Sequence, residues 1–476
     1  MHRIVIVGGG MAGLSAAWEL LGGAGGPSGE IEVTLLESSD RVGGKLRREE
    51  VGGRLVDVGA EAILATRPEA VALLTEIGAH AQIVTPATMA ASVFSRGRFH
   101  PLPPGTLMGI PGDPGAAAGL LTDAEIERAR DERPVAPIHA DVSVGDYVGD
   151  ALGEAIVDRL VDPLLGGVYA GSARGLSLAA TLPGVYAAAT AGRGLLATAA
   201  SVAPSPRPAA DPASEMSAPA PFIGVRGGVG RLPGLTADAI TARGGHIRTH
   251  ATVTELLPGD GGWEVVATCA EGGVSRHQAD AVVLALPAAA TRGLLEAHSS
   301  AAADALRRIE AASVAVVTFA FETATLPTLT GSGFLVPPIE GHPVKASTFS
   351  SAKWGWLAEA SPAVTFIRAS LGRHGDEADL VLDDGLLARL AFADLCALLG
   401  VDLPEPLDVH VQRWDAGLPQ YAVGHLTTVS SVDAALGSVP GVEVAGAAYR
   451  GVGIPAVIAS GRDAARAVLT TLGLRD

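Results

Sequence analysis

IVIVGGGMAGLSAAWELL, residues 4–21, is the stretch that decides the fold. Ile4 to Val7 is a short, apolar, β-branched run of the kind that forms a strand buried on both faces. Gly8, Gly9, Gly10, Met11, Ala12 and Gly13 follow, and Leu14 to Leu21 reads as a helix. The G-x-G-x-x-G set therefore sits between a strand and a helix, where each glycine has a mechanical reason. Gly8 permits a tight turn, Gly10 lets a pyrophosphate approach the backbone, and Gly13 lets the helix pack closely on the strand. The helix N-terminus then turns its free N–H groups and positive dipole end toward the phosphates. In a chain with 61 glycines the motif alone carries little weight; its place between strand and helix supplies it.

Working outward, Val33 to Leu36 reads as the next strand, closed by Glu37. A carboxylate at that point can hold the ribose hydroxyls of an adenosine. The interval from Gly13 to Glu37 is longer than usual, and the flexible insert Gly22 to Gly29 accounts for it. Ser38, Arg41, Gly44 and Lys45 follow Glu37, so a cation and bare backbone can also reach the pyrophosphate.

With 476 residues the chain is long enough for two or three domains. Its hydrophobic fraction of 48% marks a globular chain, not a disordered one. The net charge of −17 argues against a nucleic-acid partner, which needs a basic footprint. Cys269 and Cys396 have no metal or redox spacing and read as buried, reduced thiols, which suits the cytoplasm. The N-terminal apolar run is broken by glycines and lacks a small-residue cleavage site, so it does not read as a signal peptide. No apolar window is long enough to span a bilayer, although peripheral membrane contact stays open.

Further along, helical periodicity covers Ile126 to Arg133 and Val144 to Leu165. Residues 201–221 are proline-rich and read as a mobile surface loop. Leu235 to Arg243 reads as a helix, and Asp280 to Pro287 as a strand ending at a domain crossing. Val314 to Phe321 has the character of a strand in a large mixed sheet, the common floor of a ligand cavity. The fold class is α/β. We expect a discontinuous Rossmann-like domain from 1–85, 222–290 and 405–476. A mixed-sheet domain follows from 86–104 and 291–404, with a mainly helical domain at 105–221.

Several motifs carry a resemblance to a known family. The stretch from Glu37 to Lys45, and Leu55 to Ala62 after it, resemble the second half of the FAD fingerprint in the amine oxidase, phytoene desaturase and protoporphyrinogen oxidase group. Gly227 to Pro233 resembles that group's glycine turn before a helix. Pro419-Gln420-Tyr421-Ala422-Val423-Gly424-His425 and Ala448-Tyr449-Arg450-Gly451-Val452-Gly453-Ile454-Pro455 look like elements of the porphyrinogen oxidases of haem biosynthesis. The likeness covers nearly the whole chain. Ala456-Val457 stands where a typical member has Asp-Cys.

That resemblance implies an amine oxidase/PHBH-like flavoprotein architecture with non-covalent FAD. It places Gly59, Ala60, Glu61 and Ala62 beside the flavin, Val253 at the adenine, and Val452, Gly453 and Ile454 at the isoalloxazine, and counts Trp414 among the cofactor-binding residues. It implies a porphyrinogen substrate, molecular oxygen as acceptor and hydrogen peroxide as by-product, with contact to the next haem-pathway enzyme left open. The alanine-, glycine- and arginine-rich composition suggests a high-GC bacterium. For that source the resemblance implies the Gram-positive type, an oxidase of CH–CH groups that converts coproporphyrinogen III to coproporphyrin III. Protoporphyrinogen IX oxidation, an amine oxidase or carotenoid desaturase activity, and a non-catalytic tetrapyrrole-binding flavoprotein are the alternatives.

No side chain is assigned as a catalytic acid or base, because hydride goes to FAD N5 and the pyrrole nitrogens and solvent can carry the protons. Arg96, Arg98 and Lys345 are candidates for the substrate's carboxylates, and Phe334, with Leu335, for its apolar face. No metal is expected.

Overall fold

The computed structural model describes residues 1–23, 30–134, 137–202 and 220–474. Residues 24–29, and 203–219 of the expected proline-rich loop, lie outside the described residues.

Five parallel strands form one sheet, in the order His246–Arg248, Ile31–Leu36, His2–Val7, Ala281–Leu284, Val442–Val444. The central strand is covered on both faces: Ile4, Val5, Ile6 and Val7 are each no more than 3% exposed. That is why its sequence is continuously apolar. Ile4 and Ile6 pack under the helices Met11–Leu20, Leu232–Ala242 and Ile454–Thr471. Val5 and Val7 point the other way, toward the antiparallel strands Ala251–Gly259, Gly262–Cys269 and Val274–Ala279 and the helices Ala288–Leu295, Ser300–Arg307 and His425–Leu436.

A second, mixed sheet has seven strands, in the order Asp408–Pro419, Ala311–Glu322, Val364–Leu371, Val344–Phe349, Gly333–Leu335, Ala91–Ser95, Arg98–Pro101. Two expected boundaries move. Asp408–Pro419 pairs along its length with Ala311–Glu322, so the chain after 405 first completes the mixed sheet. The helices at 288–307 bury their apolar residues on the parallel sheet, so the chain has not left that sheet at residue 290.

Residues 105–202 are mainly helical around one apolar cluster. The expected run from 144 to 165 is interrupted. Gly153 at φ +99° ends Val144–Leu152, and a π turn at Val157–Val161 precedes Asp162–Tyr169. Cys269 and Cys396 are free, as expected, but half-buried.

Candidate cofactor groove

The central strand ends at Gly8, whose φ is +105° and where a Cβ would come within 2.4 Å of the Ala285 carbonyl oxygen. A Cβ on Gly13 would come within 1.9 Å of Gly8 O. Both positions are closed by the protein's own backbone. Gly10 is open, with nothing within 4 Å of where a Cβ would stand. It is the N-cap of Met11–Leu20, in extended conformation, and no side chain caps that helix. The side chains of Met11 and Ala12 are buried, so what they present to the groove is backbone N–H.

Glu37 braces this turn. Its carboxylate accepts from Gly9 N–H at 2.7 Å, from Ser39 N–H at 2.8 Å and from Ser38 Oγ at 3.3 Å. Gly43 N–H donates to Gly9 O at 2.8 Å, and Gly44 would place a Cβ 3.5 Å from Gly10 Cα. The second glycine pair therefore lies against the first. Burial, and then repulsion from Arg47, lower the pKa of half-buried Arg41 from its ordinary value. The strand bearing Val253 starts at the acid: Ala251 N–H donates to Glu37 O and His250 N–H to Ser39 O, both at 2.8 Å. Half-buried Val253 packs on the cluster that contains Leu36.

A third turn borders the same place. A Cβ on Gly59 would lie 2.1 Å from Lys45 O and 3.2 Å from the Trp414 ring, so these three residues meet. Lys45 is exposed on the wall, yet surrounding atoms crowd its ammonium enough to push its pKa down. Ala60 is exposed and Ala62 half-buried. Glu61 turns inward, where it accepts from Lys353 Nζ at 2.8 Å, Arg368 Nη1 at 2.8 Å and Ser350 Oγ at 2.9 Å. Burial acts to raise its pKa, but the two cations win and bring it to about 2. Arg368 also donates to Gly59 O at 2.5 Å, which fixes the turn itself. Asp57, just upstream, accepts from Val229 N–H at 2.7 Å and Gly230 N–H at 2.8 Å. Burial raises it to about 6 despite those bonds.

The C-terminal turn has the same division of labour. Gly451, at φ +136°, would drive a Cβ to 2.5 Å from Ala456 Cβ. Gly453 is open: the nearest atom to a Cβ there is Pro455 Cδ at 3.9 Å. It is the extended N-cap of Ile454–Thr471, again without a side-chain cap, and Pro455 is the second helical residue. Val452 packs on the helical layer. Gly461 on this helix touches the backbone of Ala12, and Arg466 reaches Glu19 at 2.8 Å, so the two uncapped helices run side by side in the same direction. Ile454 lies two turns ahead of Gly461, roughly 10 Å, so the second N-terminus stands beyond the first along one groove. An acid at the adenosine end, open glycine at the pyrophosphate and open glycine farther on fit an extended dinucleotide flavin.

The residues around Glu61 were missed. Arg368 carried a signal, a lone charge within the apolar strand Val364–Leu371; Lys353 lies in a short helical turn that has none. Of the substrate candidates, Arg96 is already paired with Glu125 at 2.6 Å, and Arg98 donates to Gly119 O at 3.2 Å. Phe334 is buried against Phe99 and Phe349. Lys345, also buried, donates to Gly372 O at 2.7 Å, and burial lowers its pKa to about 7. No group of side chains able to hold a metal occurs among the described residues.

Comparison with known proteins agrees with this geometry. The family model for flavin containing amine oxidoreductases matches residues 11–469. Coproporphyrinogen III oxidase of Mycobacterium bovis is 38% identical, covering 98% of this chain and 97% of that protein. The Bacillus subtilis coproporphyrinogen III oxidase is 29% identical, covering 99% and 98%. A solved structure from Exiguobacterium, provisionally assigned as a protoporphyrinogen oxidase, superposes with a TM-score of 0.85 at 28% identity over 99% of both chains. Cyclohexylamine oxidase from Brevibacterium oxydans shares the fold, with a TM-score of 0.66 at 16% identity over 99% of both chains. The chain belongs to the flavin-containing amine oxidoreductase family, in its porphyrinogen oxidase branch.

Proposed function

We propose that the protein oxidises coproporphyrinogen III to coproporphyrin III in haem biosynthesis. The observation that carries this reading is the full-length match to coproporphyrinogen III oxidases from several bacteria, at up to 38% identity, on a chain whose groove fits a flavin. A porphyrinogen oxidase function in haem synthesis is the coarser statement that these relatives support.

Bound FAD supplies hydride acceptance and oxygen reduction. The substrate loses six hydrogens and three O2 become three H2O2. The chain's own work is placement. Gly10, Arg41 and Gly44 take the pyrophosphate, and Glu37 takes the ribose in exchange for its bond to Gly9. Gly59, Trp414 and Gly453 border the ring, and the N-terminus of Ile454–Thr471 favours negative charge on it. On this reading FAD is held non-covalently. Arg96 already has a carboxylate partner and Lys345 is buried on the Gly372 carbonyl, so exposed Arg98 is the better candidate for the substrate's carboxylates. Among the described residues no helix is long and apolar enough to cross a membrane; a cytoplasmic location fits this reading.

Anaerobic mixing of the flavin-loaded enzyme with coproporphyrinogen III should bleach the flavin absorbance. Admitting air should restore it, with porphyrin fluorescence and peroxide. Protoporphyrinogen IX, with two carboxylates instead of four, should turn over more slowly. The reverse preference would reassign the substrate, and no bleaching with either would overturn the function.

A further inference from the structure

Of the segment Pro419–His425 singled out in the sequence, Pro419, Gln420, Tyr421 and His425 are buried between the helical layer and the C-terminal glycine turn, while Ala422 and Val423 are exposed. Tyr421 is 1% exposed. Its hydroxyl accepts from Gly451 N–H at 2.6 Å and donates to Ala447 O at 2.7 Å. Its ring stacks on His425 with centroids 3.8 Å apart, and His425 Nε2 lies 2.8 Å from Tyr449 O. On the other side Ser177 N–H donates to Tyr421 O at 2.7 Å, and Gln420 Nε2 donates to Tyr169 O at 2.7 Å. Asp141 ties the segment down by accepting from Gly424 N–H at 2.7 Å and Ser177 Oγ at 2.6 Å. One phenol thus holds both arms of the loop that delivers Gly451, whose positive φ has no other side-chain support in these contacts.

We propose that Tyr421 is the positioning residue for the flavin end of the groove. Its hydroxyl sets the Gly451-Val452-Gly453 turn, and so the aim of the uncapped helix N-terminus behind it. This rests on the reading that the turn meets the isoalloxazine. The adenosine end, built from Gly8–Gly13 and Glu37, does not depend on Tyr421.

The test compares FAD with ADP, a probe of the adenosine end alone, on the apoprotein. Tyr421→Phe keeps the ring and removes the hydroxyl, leaving a buried N–H and a carbonyl without their partner. FAD affinity should fall about tenfold while ADP affinity holds. Equal loss for both ligands, or no loss for either, would overturn the proposal. Wild-type apoprotein binding FAD no better than ADP would instead overturn the flavin-end reading. Amide exchange at Gly451 in the wild-type apoprotein gives a measurement independent of how the variant folds. Strong protection is expected, and an unprotected amide defeats the proposal.

Discussion

The two glycine turns, 8–13 and 451–453, lie at opposite ends of the chain and solve the same problem twice. Each has glycines that the fold itself requires. Gly8, Gly13 and Gly451 would each force a Cβ to within 2.5 Å of another protein atom. Each also has one glycine with room for a side chain. Gly10 and Gly453 are extended N-caps, at φ −70° and −71°, that any residue could adopt. Among the described residues nothing crowds a side chain at either position, so on the proposed reading the need for glycine there comes from the ligand. The difference separates glycine used for packing from glycine reserved for a ligand.

The sharpest way to break that distinction is to fill a closed position. Gly13→Ala puts a methyl into the Gly8 carbonyl, and neither backbone can yield without separating helix from strand. The apoprotein should lose about 4 kcal/mol or more of stability in thermal or denaturant unfolding. Near-native stability would mean that closeness to neighbours does not identify the packing glycines. Filling an open position should do the opposite. Gly10→Val and Gly453→Val should cost the apoprotein less than about 1 kcal/mol, yet weaken FAD binding about a hundredfold, or about 2.7 kcal/mol. ADP separates the two turns: Gly10→Val should lose ADP as well, and Gly453→Val should keep it.

The first turn was legible because strand, glycines, helix and acid stand in sequence within residues 4–37. The core of the parallel sheet was legible for a related reason, since burial on both faces leaves unbroken apolar runs such as Ile4–Val7. The second turn showed its glycines, but not which one was free, because that depends on how Ala456 and Pro455 sit around it. Residues that act across long separations stayed hidden. Arg368 meets Gly59 and Glu61 from an interior strand of the mixed sheet some 300 residues away. Nothing local marks Lys353 as its companion. The domain boundaries slipped at 290 and 405 because strand and helix patterns do not say which sheet they join.

The third turn, Asp57–Glu61, sharpens the comparison, because buried ion pairs join the hydrogen bonds and close packing that hold the other two. Its two carboxylates respond to pH in opposite directions. Glu61 has its pKa lowered from 4.5 to about 2, so its contribution is complete above 4.5 and is lost as pH falls toward 2. Asp57 is raised from 3.8 to about 6, so it favours the folded state more when protonated, and that contribution is lost as pH rises from 3.8 through 6. Between pH 6 and 4.5 Asp57 dominates this pair. Its own contribution should therefore increase stability by about 1–2 kcal/mol as pH falls across that window. Asp57→Asn cannot titrate, and its amide still accepts one of the two N–H groups. Denaturant unfolding from pH 7 to 4.5 should show a smaller rise in the variant than in the wild type. Parallel profiles would show that Asp57 ionises normally, and would leave Glu61 with its two cations as the charges that hold the third turn.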